Sequence, residues 1–135
     1  MRPKLLLRIA AVLMLLHTIG HTLGALTSSE APNARVGLVL KGMQSEHFNF
    51  MGRNATLAQF YNGYGIIMIL VLLLISVQLW LLASALNKAM VLALAIFLLI
   101  TACCEYVYFF PFAALITLLS GIAALWAYYK IKATY

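Results

Sequence analysis

A chain of 135 residues that is 65% hydrophobic and only 9% charged carries too much apolar surface for one soluble core of its size. Its mean hydropathy of +1.02 makes a bilayer the solvent for most of its length. The net charge of +6 sits at the ends of apolar runs rather than on one groove-sized patch, which argues against nucleic acid as a partner.

A hydrocarbon core about 30 Å thick takes about 20 helical residues to cross. Four stretches qualify, about 5–26, 63–86, 89–110 and 112–130. The first opens with "MRPKLLLR", like a secretory signal peptide. Its apolarity nevertheless continues to Leu26, past the about 7–15 residues of a signal core, so it reads as a true span. Within it His17 and His21 stand at i, i+4 and project from one helix face.

Residues 27–62 form the one long connection. Its first part, "TSSEAPNA", is a polar turn. The remainder includes Val36, Leu38, Val39, Leu40, Met43, Phe48, Phe50 and Met51, more large apolar side chains than a solvated linker carries. An ordered cap is expected, with a short amphipathic helix around 36–44 folded over the outer mouth of the bundle. The alternative lays the same apolar face on the lipid surface. Glu46, His47 and Arg53 suit a polar mouth.

The second span has an earlier alternative start near Ala55, with Asn54 as its cap. Asn87-Lys88 makes a very short turn into the third span, and Pro111 suits the first turn of the fourth. Such short connections imply antiparallel neighbours. The adjacent Cys103 and Cys104 point about 100° apart on a helix, a poor disulfide geometry, and read as small core-filling residues. The run "SGIAAL" from Ser120 lets backbones approach closely, within the chain or between copies.

Together these features give an all-α, four-helix transmembrane bundle, one integral membrane domain over 1–135, with an ordered extracytoplasmic cap between helices 1 and 2. Both termini share one side, which carries Arg2, Lys4, Arg8, Lys88, Lys130 and Lys132 and no acid. The other side balances Arg35, Lys41 and Arg53 against Glu30 and Glu46. The positive-inside rule therefore puts the termini in the cytoplasm. Trp80, Trp126, Tyr128 and Tyr129 would mark the inner interface, and Tyr106, Tyr108, Phe109, Phe110 and Phe112 the outer one.

The segment "MGRNATLAQFYNGYG", with "LKGM" before it and "YFFP" in the third span, resembles a family of small bacterial four-span membrane proteins without an assigned activity. The resemblance covers most of the chain and implies a bacterial cytoplasmic (inner) membrane. It implies no chemistry. An acid is expected in that family before the Phe-Tyr pair, where this chain has Gln59.

His21 and Glu105 each lie five residues from the outer end of their span, roughly 8 Å inside it at 1.5 Å per residue. His17 is one turn deeper; Tyr106 and Tyr108 flank Glu105; Glu46, His47, Arg53 and Asn62 could reach the mouth from the loop. Ionisable groups inside spans are rare and usually face the bundle interior, and an isolated buried charge is prohibitively costly. A His21–Glu105 or Arg53–Glu105 pair would answer that cost.

Four readings stay open. In the first, the histidines are buried hydrogen-bonding glue between helices. His21 and Glu105 would otherwise be acid and base of a ligand pocket, with His17, Tyr106 and Tyr108 lining it and Glu46, His47, Arg53 and Asn62 at its lid. A zinc or iron site would use His17, His21 and Glu105. Haem would need a second axial ligand, and only His47 is left to supply it. The function favoured is an outward-facing polar site that binds, or does acid–base chemistry on, a small lipid-like ligand. The alternatives are a non-catalytic membrane scaffold or accessory subunit, and a metal-binding protein. Whether it is an enzyme, and its oligomeric state, are left open.

Overall fold

The computed structural model describes residues 1–131; Lys132, counted above with the cytoplasmic cations, lies outside the described residues. In chain order the elements are α1 (Pro3–Thr27), α2 (Ala34–Ser45), β1 (His47–Phe50), β2 (Arg53–Thr56), α3 (Leu57–Ser84), α4 (Lys88–Tyr108) and α5 (Pro111–Lys130). Helices α1, α3, α4 and α5 are long and apolar enough to cross a membrane. The chain is an all-α, multi-pass membrane protein with one short β-hairpin added.

Local chemistry sets the helix ends. Asn87 caps α4 by accepting from the Met90 amide at 3.1 Å. Pro111 occupies the first turn of α5, where its missing N–H costs nothing. Proline also holds the preceding residue out of the helical region, and Phe110 is extended at φ −146°, ψ 150°. The expected third span ran to residue 110. It ends instead at Tyr108, because Phe109 and Phe110 form this sharp joint.

Two compact units are distinguished. The first comprises residues 1–18 and those from Val71 onward. Its core runs down four helices: Leu7, Ala10 and Met14 of α1; Leu72, Ile75 and Leu79 of α3; Val91, Ala95 and Leu98 of α4; Ala123, Ala124 and Ala127 of α5. Large side chains such as Leu81, Ile100 and Ile122 face outward, the pattern expected where lipid replaces water. Alanines and Gly121 let α5 approach α4 so closely that a Cβ on Gly121 would stand 3.2 Å from the Leu98 Cβ. The small-residue run thus serves a contact within the chain.

Two serines fasten α1. The Ser120 hydroxyl donates to the Ala10 carbonyl at 3.0 Å, and Ser76 donates to that of Ala11 at 2.8 Å. At the end of the unit that carries the cations, Arg8 lies over the Trp80 ring at 5.4 Å and Lys88 over Tyr128 at 5.0 Å.

Cys103 and Cys104 are exposed and do not fill the core as expected. The buried face of α4 steps through Val91, Ala95, Leu98, Ala102 and Glu105. Residues 103 and 104 fall about 100° and 200° away from Ala102 around the helix.

The second unit is Ile19–Leu70. Asn33 caps α2 by accepting from the Val36 amide at 3.0 Å, and the helix covers the expected 36–44 with two residues more at the N-terminal end and one at the other. A hairpin then pairs β1 with β2 antiparallel, Phe50 opposite Arg53. This leaves Met51-Gly52 as a two-residue turn, both at positive φ (50° and 85°), as a primed hairpin turn requires. Phe60 secures the hairpin to α3, its ring 5.7 Å from both Phe48 and Phe50.

Helix α3 starts at Leu57, six residues before residue 63 and two past Ala55, close to the earlier of the two expected starts. Thr56 and Gln59 form a reciprocal capping box: the Gln59 amide donates to the Thr56 hydroxyl at 3.2 Å, and the Thr56 amide donates to Gln59 Oε1 at 3.1 Å. The cap is therefore Thr56 and not Asn54.

Candidate functional site

Within the first unit, three helices bring polar side chains together in an apolar interior. His17 comes from α1, Glu105 from α4 and Thr117 from α5. They are 7%, 8% and 0% exposed. His17 Nδ1 is hydrogen-bonded to Thr117 Oγ1 at 2.9 Å. Its Nε2 faces Glu105 Oε1 at 3.8 Å, an ion-pair separation rather than a hydrogen bond. With Nε2–H turned toward the carboxylate, a neutral ring would take the Thr117 proton at Nδ1. Glu105 Oε2 is buried with no hydrogen-bond partner among the described residues. The imidazole is thus oriented from both sides, an arrangement able both to lock helices and to hold a proton in place.

Thr117 was not singled out in the sequence. One signal was available: it lies three residues before Ser120, so the two polar residues of α5 share a face, and both are fully buried.

The other expected site residues are placed differently. His21, in the second unit, is half-buried, and its Nε2–H donates to the Gly65 carbonyl at 3.3 Å. Tyr106 and Tyr108 are exposed. Glu46 is exposed at the C-cap of α2, where its amide donates to the Gly42 carbonyl. His47 is exposed, with Nδ1–H donating to the Ser45 carbonyl at 2.9 Å. Asn62 is exposed on α3. Among the described residues no three His, Cys, Asp or Glu side chains gather as metal ligands; the donors that meet are His17 and Glu105.

Arg53 has a distinct setting. It borders a cleft of about 310 Å³ with Ala55, Gln59, Phe60, Gly63, Tyr64 and Ile67. Strand β2 delivers Arg53 and Ala55, and the first three turns of α3 supply the rest. The walls are apolar and aromatic, with one guanidinium and one amide. No salt bridge engages Arg53 among the described residues. A second cleft, of about 520 Å³, lies in the first unit beside Gln78, Leu82, Leu86, Asn87 and Met90. Neither lining includes His17, His21 or Glu105.

No family model, curated protein or solved structure is similar enough to the chain to match it.

Proposed function

We propose that the protein binds a small anionic amphiphile in the Arg53 cleft, and that it does so on the outer side of a bacterial cytoplasmic membrane. The observation that carries this reading is the cleft's division of labour. Its volume falls in the range of small-molecule sites, its walls are apolar, and at its edge stands a guanidinium that no salt bridge engages among the described residues. A lipid-like carboxylate or phosphate would give that fork the bidentate partner it favours, while Phe60, Tyr64 and Ile67 receive the chain.

The resemblance carried by "MGRNATLAQFYNGYG" supports the bacterial location. The cation count supports termini in the cytoplasm, with Arg2, Lys4, Arg8, Lys88 and Lys130 on that side. Cytosolic and periplasmic reporters fused after the C-terminus or inserted near residue 30 test this orientation. A cytosolic signal from the insertion would reverse it.

The binding test uses a fluorescent long-chain carboxylate and its uncharged alcohol counterpart on purified protein in detergent. The carboxylate should bind more tightly, and Arg53→Ala should cost about tenfold in affinity, equivalent to about 1.4 kcal/mol. Equal binding of the two probes, or an unchanged Arg53→Ala variant, would refute the reading.

A second reading, a non-catalytic scaffold, is favoured by the closure of His17 between Thr117 and Glu105. Buried polar contacts of this kind can serve solely to hold helices in register. A chain that binds neither probe yet loses stability when His17 is replaced would fit that account.

A further inference from the structure

One face of α2 stays largely exposed. None of its twelve residues is buried, yet Leu38 is 71% and Val39 60% exposed, and Val36 is exposed beside them. At 100° per residue, Leu38, Arg35, Val39 and Val36 occupy one arc of about 160°, and half-buried Met43 extends it along the helix. Gly37 and Leu40, both half-buried, fall outside that arc, and half-buried Gly42 falls within it.

Charge and tether length identify what lies against this face. The helix "ARVGLVLKGMQS" carries Arg35 and Lys41 and no acid within it, with Glu46 at its C-cap. Residues 28–33 join it to α1, and a tether of that length reaches at most about 20 Å fully extended. Since α1 crosses the membrane, α2 is confined to the headgroup region and its immediate surroundings. At the hairpin turn, Met51 is 92% exposed and Phe50 is exposed next to it, a further apolar tip in the same short segment.

We propose that α2 is an interfacial helix: Val36, Leu38 and Val39 enter the boundary between headgroups and acyl chains, while Arg35 and Lys41 engage lipid phosphates. Basic helices with an apolar face bind bilayers in this orientation, and long basic side chains bring their charge out to the headgroups while their stems stay in apolar contact. The inference needs only that α1 and α3 span, and it stands or falls separately from ligand binding at Arg53.

Nitroxide accessibility tests it on the full chain. In a Cys103→Ala/Cys104→Ala background, Leu38→Cys, Val39→Cys and Gln44→Cys are labelled and reconstituted in vesicles of phosphatidylcholine and phosphatidylglycerol. Labels at 38 and 39 should collide several-fold more often with oxygen than with a water-soluble nickel chelate, relative to the label at 44. Replacing phosphatidylglycerol by phosphatidylcholine should lower that ratio. Nickel access at 38 and 39 equal to that at 44 would show a helix standing in water. Protection from both reagents would show a protein surface, such as a second copy, on this face. Either result overturns the proposal. Two exposed label positions guard against failure of one variant to fold.

Discussion

The imidazole of His17 and the hydroxyl of Thr117 meet at 2.9 Å, one hundred residues apart in sequence, with both side chains buried. This bond ties the first spanning helix to the last. The Glu105 carboxyl faces the same imidazole at 3.8 Å, and all three side chains are buried, so water does not readily replace a lost partner.

Thr117→Val removes the hydroxyl while keeping the shape. It should destabilise the protein by about 0.6–1.7 kcal/mol, from the average to the largest value measured for hydrogen bonds between the helices of one membrane protein. Thr117→Ser should retain most of the stability. Reversible unfolding in mixed detergent micelles reads both. In a double-mutant cycle with His17→Leu, the two losses should fall short of additive, because each variant breaks the same bond. Strict additivity would show that the two groups do not interact energetically.

Gly121→Ala should also destabilise. The added methyl would stand 3.1 Å from Leu99 Cδ2 and 3.2 Å from Leu98 Cβ, and the latter is fixed to the backbone of α4. Overpacking of this kind costs about 1–3 kcal/mol. Gly63→Ala is the control, because nothing lies within 4 Å of its added methyl and alanine favours helix. A melting temperature lower for Gly121→Ala than for Gly63→Ala is the expected result. Equal values would mean that α4 and α5 separate without cost.

The capping box makes the role of Gln59 testable. Gln59 supplies the side chain that bonds the Thr56 amide, a role glutamate fills equally well. Gln59→Glu should therefore leave α3 intact. Thr56→Ala should cost about 1 kcal/mol, and amide hydrogen exchange should rise at the first turn of α3. Faster exchange in Gln59→Glu would show that the amide group does something the carboxylate cannot.

The spans were legible because lipid imposes a length and a composition that few other environments require. Asn87 and Pro111 marked their boundaries through chemistry that acts within four residues. The convergence of His17 with Glu105 was half legible. Depth along the helices put intramembrane ionisable groups in the same part of the bundle, but rotation about each helix axis decides which ones meet. That rotation is set by packing such as Gly121 against Leu98, which no single helix encodes. Thr117 escaped notice because one threonine in an apolar run carries no pattern of its own.

The hairpin was hidden for a more specific reason. Two-residue primed turns announce themselves through Asn-Gly or Asp-Gly, whose first residue tolerates positive φ. Here that residue is Met51, at φ 50°. Methionine in the left-handed region costs roughly 1–2 kcal/mol, which asparagine partly avoids through local hydrogen bonding. Met51→Asn should accordingly stabilise the hairpin, slowing amide exchange across β1 and β2. Gly52→Ala should do the reverse, because φ 85° is open to glycine and strained for alanine. The side chain of Met51 is 92% exposed, so neither effect is confounded by lost packing inside the chain. If the bilayer receives Met51, the gain from Met51→Asn should be larger in detergent than in vesicles, where the methionine's apolar contact offsets its backbone strain. An identical gain in both would leave the turn standing clear of the membrane.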